Sequence, residues 1–181
     1  MLYFLIFSRY IYNMKKETKK VIKHKRPSWD EYFSSMVELV GTRSTCDRGK
    51  SGCVIVKDKR VLSTGYIGSP MGTVHCDEAG HEMHTVIQED GIQSRHCIRT
   101  AHAEQNAIVN AARFGIALDG ATLYCHMTPC YVCAKMIING GIKRVICNLD
   151  YHAGGRSKKL FKEAKVKYEL LSKKIQTYKD M

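Results

Sequence analysis

Two short segments of the chain carry side chains that can bind a metal ion and move protons. His102-Ala103-Glu104 supplies an imidazole and a carboxylate, and Pro129-Cys130-Tyr131-Val132-Cys133 supplies two thiols. An imidazole and two thiolates suit Zn²⁺, and a site with three protein ligands keeps a fourth position for water, whereas four-ligand sites are structural. Zinc lowers the pKa of such a water to about 7. We therefore predict a catalytic zinc ion held by His102, Cys130 and Cys133, with Glu104 as the proton carrier.

Both ligand segments are predicted to begin a helix. Residues 102–114 place small apolar side chains at helical spacing, and Gly115 follows as a stop. Residues 129–139 have Thr128 as a candidate N-cap and Pro129 at the first helical position. The free N–H groups and the positive dipole end of a helix stabilise thiolates, so this placement favours metal binding.

The combination of H-x-E with P-C-x-x-C is the pattern of zinc-dependent nucleobase deaminases. The alternative is a structural zinc knot of the Cys₃His or Cys₂His₂ type, in which Glu104 is a solvated helix residue. That reading leaves the glutamate on the ligand-bearing turn unexplained, and it is the less favoured of the two.

The length and the cysteine usage indicate one reduced domain. A chain of 181 residues suits a single core. Its eight cysteines lie beside histidines in a chain of moderate size, which favours metal binding, reduced thiols and a cytoplasmic location. The apolar stretch 1–7 is far shorter than the roughly 20 residues of a membrane span, and it lacks the features of a signal peptide.

The net charge of +12 is concentrated at the two ends of the chain. Residues 15–26 carry +6, residues 156–181 carry +6 and Arg9 adds +1, so that residues 27–155 carry −1. A nucleic-acid substrate calls for basic and aromatic residues around the pocket. We therefore expect no specific nucleic-acid partner, and we divide the chain into an extension at 1–25, a domain at 26–172 and a tail at 173–181.

Helical and strand patterns alternate along the domain. We predict a helix near 29–40, a hairpin of strands near 53–57 and 60–66, a loop-rich stretch at 68–100, the helix from 102, a strand at 121–126, the helix from 129, a strand at 143–148, a helix near 156–164 and a strand near 166–171. This alternation predicts an α/β fold in which helices cover both faces of one sheet.

These motifs give the chain a specific resemblance to a known family. Residues 26–30, 43–46, 65–70 and 75–78, together with the H-x-E and P-C-x-x-C motifs, resemble the deoxycytidylate (dCMP) deaminases of the zinc-dependent cytidine/deoxycytidylate deaminase family. They also resemble the deaminase-like proteins of bacterial competence operons. The resemblance covers about residues 26–171 and implies a three-layer α/β/α fold with a central mixed sheet of about five strands.

The same resemblance implies a function. It implies zinc-dependent hydrolysis of dCMP to dUMP and ammonia in pyrimidine deoxynucleotide metabolism, a homo-oligomer, and regulation by dCTP as activator and dTTP as inhibitor. The alternatives are a deaminase of another amine-bearing nucleotide or of nucleic acid, and a non-catalytic zinc-binding protein of the competence type.

The remaining thiols suggest a second metal ion. We predict a closed structural zinc site that pins the 68–100 stretch, because cysteine and histidine exchange as zinc ligands. His75, His84 and His96 compete for the same role, and the alternative is a set of reduced, buried cysteines. The favoured ligands are Cys46, Cys76, His81 and Cys97.

The resemblance also suggests how a nucleotide is held. Arg43 and Ser44 occupy a family-like position, and Arg43, Arg48 and Lys50 form a candidate phosphate cluster. The family usually has an asparagine for nucleotide recognition where this chain has Ile67, so either another group holds the sugar or the substrate differs. The predicted substrate-binding residues are Arg43, Ser44, Gly65, Tyr66, Gly68, Ala103 and Tyr151.

Overall fold

A computed structural model describes residues 25–87 and 93–176. The predicted extension at 1–25 falls almost wholly outside these residues, as does the end of the predicted tail. The first part of that tail is described, and its backbone pairs with Asp150 through Lys174 and Gln176. The domain boundaries therefore stay a prediction.

The first helix, α1 (Trp29–Gly41), begins at a capping box. The Ser28 hydroxyl accepts the N–H of Glu31, and the Glu31 carboxylate accepts the N–H of Ser28, so two N–H groups of the first turn are satisfied. The apolar stripe of α1 buries Phe33 and Val37 against one face of the sheet. The helix predicted near 29–40 is confirmed.

The central sheet has five strands, which are β1 (Gly52–Lys57), β2 (Arg60–Tyr66), β5 (Thr122–Met127), β6 (Arg144–Leu149) and β7 (Lys167–Leu170). Their order across the sheet is β2-β1-β5-β6-β7. Strand β1 pairs antiparallel with β2 and β5, whereas β5, β6 and β7 run parallel. This is the mixed sheet that the sequence predicts.

Three helices cover the other face of the sheet. They are α3 (Ala103–Arg113), α4 (Tyr131–Asn139) and α5 (Gly155–Glu163). Their inner residues, such as Ala107, Ile137 and Phe161, form one core with the alternate side chains of the strands. With α1 on the opposite face, the architecture is the predicted three-layer α/β/α fold. No helix within the described residues is long and apolar enough to cross a bilayer.

The stretch predicted as loop-rich, 68–100, contains regular structure that the sequence did not indicate. It holds the short helix α2 (Cys76–Ala79) and an antiparallel hairpin of β3 (Met83–Ile87) and β4 (Gln93–Cys97). Four of the five residues of β3 are exposed. Strand β3 therefore has no buried face, and the alternation of apolar and polar residues that identifies a strand is missing.

Candidate active site

His102, Cys130 and Cys133 converge at one end of the sheet. Their ligand atoms all lie within 4.8 Å of one another. The Nδ1 atom of His102 is 3.5 Å from the Cys130 sulfur and 3.4 Å from the Cys133 sulfur. Zinc bonds of about 2.3 Å to sulfur and 2.0 Å to nitrogen, at tetrahedral angles, place these atoms about 3.5 Å apart. The three side chains therefore fit a zinc ion.

Two helix N-termini bring the three side chains together. His102 is the N-cap of α3, Cys130 is the N-cap of α4, and Cys133 lies in the first turn of α4. The predicted N-cap at Thr128 is wrong by two residues, because the Thr128 hydroxyl donates to Asp150 on the neighbouring strand end instead of capping the helix. The helix predicted at 129–139 accordingly begins at Tyr131.

The three side chains of this cluster share protons. The hydrogen bond from Cys133 lowers the pKa of Cys130 to about 4, and the same interaction raises the pKa of Cys133. The Cys130 thiolate raises the pKa of His102 to about 9. The nitrogen and the two sulfur atoms are thus held close together by the protons between them. A metal ion would replace those protons.

Glu104 is the second residue of α3, two positions after the N-cap His102, and is 5% exposed. Burial raises the pKa of its carboxyl, and the neighbouring His102 opposes that shift. A buried carboxyl beside a metal-ligand set, on the wall of a cavity, is placed to exchange protons with a bound molecule.

A cavity of about 370 Å³ opens directly over the ligand cluster. It lies where β5 and β6 end and where the antiparallel β1 begins. Ligands of α/β proteins usually bind at this end of the sheet, outside the carboxyl ends of the parallel strands. Its wall combines apolar side chains with a few polar ones, as in small-molecule sites. The wall includes His102, Glu104, Cys130, Ile67, Met127, Thr128, Val132 and Ala153.

Of the predicted substrate-binding residues, Ala103 and Tyr151 line this cavity. Arg43, Ser44, Gly65, Tyr66 and Gly68 do not. The Ser44 hydroxyl accepts the N–H of Ser51 and thereby supports the loop before β1. Gly68 pairs with Ala101 through two backbone hydrogen bonds.

Gly65 serves packing between a strand and a helix. A Cβ atom at Gly65 would lie 2.2 Å from the Ala103 carbonyl oxygen and 2.4 Å from the Ala107 nitrogen. The missing side chain lets β2 approach the backbone of α3, so the glycine positions the helix that carries Glu104. The sequence instead suggested a role for Gly65 in substrate binding.

Three arginines reach the cavity from three different segments. Arg48 belongs to the phosphate cluster suggested by the sequence, but Arg95 on β4 and Arg156 on α5 were not foreseen. The Arg156 guanidinium lies 4.1 Å from the centre of the Tyr131 ring, a cation–π contact at the cavity wall. Since Arg95 lies on the unforeseen hairpin, no sequence signal connected it to the site.

A second group of metal-binding side chains lies beside the same cavity. The ligand atoms of Cys46, Cys76, His81 and Cys97 fall within 4.8 Å of one another. The sulfurs of Cys76 and Cys97 are 3.7 Å apart, close to the roughly 3.8 Å of two thiolates on one tetrahedral zinc. Within the described ranges, this group and the His102 cluster are the two that could hold a metal ion.

The second cluster has an oriented histidine. His81 turns Nδ1 toward the Cys46 sulfur, 3.7 Å away, while Nε2 lies 3.1 Å from the Asp47 carboxylate. A carboxylate behind a histidine fixes the ring and raises its basicity as a ligand. Both Cys46 and Cys97 line the cavity, so the cluster joins the hairpin to the cavity wall.

The molecule has a sheet covered by helices on both faces, and a His-Cys-Cys cluster with a buried glutamate lies at two helix N-termini. This fold and this site are those of the zinc-dependent deaminases. The chain belongs to the cytidine and deoxycytidylate deaminase family, since residues 27–149 match its zinc-binding region. This finding confirms the resemblance seen in the sequence.

Individual relatives agree with this assignment. The chain is 42% identical over 144 residues to ComE operon protein 2 of Bacillus subtilis, covering 80% of this chain and 71% of the relative. It is 37% identical over 141 residues to the deoxycytidylate deaminase of Schizosaccharomyces pombe, covering 78% of this chain and 43% of that protein. The structure also resembles the dCMP deaminase of the cyanophage S-TIM5 crystallised with dCMP and dUMP, with a TM-score of 0.65, 31% identity, and coverage of 81% and 99%.

Proposed function

We propose that this protein hydrolyses dCMP to dUMP and ammonia. The observation that carries the proposal is the buried Glu104 carboxyl beside a three-ligand cluster on the wall of the cavity. The family membership and the cyanophage structure with dCMP and dUMP support this choice of substrate.

His102, Cys130 and Cys133 would hold the zinc ion, whose chemistry is to bind a water and lower its pKa. The separations of the three ligand atoms fit such an ion. Because three protein ligands leave one coordination position, the cluster suits catalysis better than structural binding.

Glu104 carries the protons. Its carboxylate accepts a proton from the water whose oxygen bonds to C4 of the cytosine ring, and delivers it to the ring nitrogen N3. The carboxylate then takes the remaining proton from the C4 hydroxyl and gives it to the amine, the C4–N bond breaks as the C4=O bond forms, and ammonia leaves. Burial of Glu104 keeps bulk water from competing for these protons.

The cavity wall would hold the rest of the nucleotide. Tyr151, which is buried at the cavity wall, offers a ring for the base, and the Ala103 backbone lies next to Glu104. Arg48, Arg95 and Arg156 offer guanidinium groups for the phosphate. We assign the phosphate to this group in place of Arg43, which is exposed and outside the cavity wall. Ile67 places an apolar side chain against the sugar.

The second cluster would hold a structural zinc ion. Its four side chains would supply the four ligands of a closed site, and the Asp47 carboxylate orients His81. The ion would anchor the β3–β4 hairpin and thereby Arg95. We further propose a cytoplasmic homo-oligomer that dCTP and dTTP regulate.

An ammonia-release assay tests the substrate. We expect the highest kcat/KM for dCMP, with CMP, deoxycytidine, dCTP and a cytosine-containing single strand at least tenfold lower. Arg48→Gln should lower kcat/KM for dCMP and leave deoxycytidine turnover unchanged, while Lys50→Gln, an exposed neighbour outside the cavity, serves as the control. Equal turnover of deoxycytidine and dCMP by the parent would contradict a phosphate site, and turnover of the oligonucleotide alone would favour nucleic acid.

A further inference from the structure

Asp150 connects four parts of the molecule beside the cavity, three through its carboxylate and one through its backbone. It accepts hydrogen bonds from the Thr128 hydroxyl at 2.8 Å and from the Tyr151 N–H at 2.8 Å. Lys158 on α5 places its ammonium group 2.7 Å away. The Asp150 backbone in turn pairs with Lys174 and Gln176 near the end of the described chain.

The Thr128 end of this network leads directly to a metal ligand. Thr128 and Pro129 are both almost fully buried, and Cys130 follows them. The Thr128 N–H donates to the Leu149 carbonyl at 3.1 Å, so both the backbone and the side chain of Thr128 are attached to the end of β6. Since the proline ring fixes φ, little rotation is left between this anchor and Cys130.

The hydrogen bonds around Thr128 have one consistent direction. Burial raises the pKa of Asp150, but the hydrogen bonds from Lys158, Thr128 and the Tyr151 N–H together lower it below its usual value, so the carboxylate is ionised. An ionised carboxylate only accepts, and Thr128 therefore donates its single hydroxyl proton to Asp150. Tyr168, whose hydroxyl is 2.8 Å from that of Thr128, then donates to Thr128.

The packing around Thr128 is tight. A Cβ atom at Gly154 would lie 2.8 Å from the Thr128 methyl group and 3.0 Å from the Tyr151 carbonyl oxygen. The loop from Tyr151 to Gly154 is closed by the hydrogen bond from the Gly154 N–H to that carbonyl. Thr128 and Tyr151 therefore keep fixed positions relative to each other.

We infer that Asp150 is a positioning residue that sets both the Cys130 ligand turn, through Thr128, and the Tyr151 wall of the cavity, through the Tyr151 N–H. The role through Tyr151 rests on the proposed function, because it concerns substrate binding. The role through Thr128 concerns metal retention and does not depend on the substrate. Groups that orient metal ligands typically change metal affinity or activity by about 10- to 100-fold when they are removed.

The test compares metal retention and kinetics in matched variants. Thr128→Val keeps the shape of the side chain but removes the donor, and we expect zinc to leave the His102 cluster for a chelator about 10- to 100-fold more readily. Thr128→Ser keeps the donor and should restore retention. Asp150→Ala should show the same metal loss and in addition a raised KM for dCMP, because Tyr151 is released. Lys159→Met, an exposed change on the same helix as Lys158, should match the parent.

The readouts separate positioning from stability and from the proposed function. The absorption spectrum of the cobalt(II)-substituted protein reports the geometry at Cys130, and the release phase that survives Cys97→Ser identifies the His102 cluster. Parent-like retention and spectrum in both Thr128→Val and Asp150→Ala would overturn the inference. Should Asp150→Ala fail to fold, the Thr128→Val and Thr128→Ser pair decides. A parent that does not turn over dCMP would refute the proposed function, while the metal readout still judges Asp150.

Discussion

At the scale of single residues, the site depends on a carboxyl kept away from bulk water. Glu104 is buried on the first turn of α3, two residues after a metal-ligand candidate, His102. The peptide geometry of a helix start thus holds the proton carrier and the ligand at a fixed separation. The consequence is that a change at Glu104 can remove proton transfer while the ligand cluster stays intact.

We predict that the Glu104→Gln variant keeps its zinc and its fold, but that its kcat on dCMP falls by about 10²- to 10⁴-fold. The amide fills the same volume and forms hydrogen bonds, but it cannot carry a proton, and general acid–base catalysis contributes about this much. Metal analysis, thermal unfolding and ammonia release check the three parts. Glu163→Gln, an exposed change on α5, is the control. Turnover within a few-fold of the parent would remove Glu104 from the mechanism.

At the scale of elements, α3 and the β3–β4 hairpin are held by very different contacts. Helix α3 lies directly on β2 at Gly65, and the Ser63 hydroxyl donates to the Ala107 carbonyl at 2.7 Å. The hairpin has little buried surface of its own, and the second ligand cluster lies at its base. Close backbone packing therefore positions α3, whereas metal binding would position the hairpin.

We expect Gly65→Ala to lower activity and stability together. The new methyl group would overlap the backbone of α3 at Ala103 and Ala107, so the helix that carries His102 and Glu104 must move. Overpacking of this kind costs about 1–3 kcal/mol. Gly155→Ala is a matched control, because a Cβ atom there meets nothing within 4 Å. Urea unfolding and kcat on dCMP measure both effects, and a Gly65→Ala protein as stable and active as Gly155→Ala would contradict the packing argument.

We predict two zinc ions per chain, of which Cys97→Ser removes one. The His102 cluster has its own ligands on α3 and α4, so it should stay occupied while the hairpin loses its anchor. The variant should unfold at a lower temperature and show a raised KM for dCMP, since Arg95 lies on the hairpin. Cys147→Ala, which changes a buried core thiol that belongs to neither cluster, controls for the loss of a thiol. One zinc ion in the parent would make the second cluster a set of reduced thiols.

At the scale of the whole molecule, charge is distributed differently around the cavity and over the chain. Residues 27–155 carry a net −1, yet Arg48, Arg95 and Arg156 meet at one cavity. On the face of the sheet that α1 covers, Arg144 donates two hydrogen bonds of 2.8 Å to Asp30 and one to Glu169, and Tyr124 donates to Asp30 at 2.7 Å. This second group of charges connects α1 to β5, β6 and β7, and it serves stability.

The ion pair between Asp30 and Arg144 should weaken in acid. The hydrogen bond from Arg144 holds the pKa of Asp30 and of Glu169 below their usual values. A depressed carboxyl pKa contributes stability above the usual pKa of about 4, and this contribution disappears as the pH falls through the lowered pKa.

We therefore expect Asp30→Asn to destabilise the protein by about 1 kcal/mol at pH 7, since the pair is partly exposed, and by less at pH 3. Urea unfolding at both pH values measures the difference. Asp58→Asn, in the exposed turn between β1 and β2, should have no effect at either pH. A pH-independent effect of Asp30→Asn would show that charge does not stabilise this contact.

The sequence by itself determined the fold class, the order of the elements and the candidate catalytic cluster. Amphipathic periodicity, helix caps and the spacing of His102, Glu104, Cys130 and Cys133 are local properties, and local patterns can be read directly from the chain. The sequence also favoured Cys46, Cys76, His81 and Cys97, because metal-binding side chains are few and chemically distinct. The structure decides that His81, and not one of the competing histidines, lies with the three cysteines.

Only the tertiary structure decided which other residues reach the cavity. Arg95 and Arg156 come from a hairpin and a helix far apart in the chain, and Asp150 meets Thr128 only because β5 and β6 end side by side. For the same reason, the roles of Gly65 and Thr128 differ from those predicted. Gly65 packs against the backbone of a helix, and Thr128 bonds to the end of a neighbouring strand. Contacts between distant segments depend on how the elements pack, and no local pattern records them.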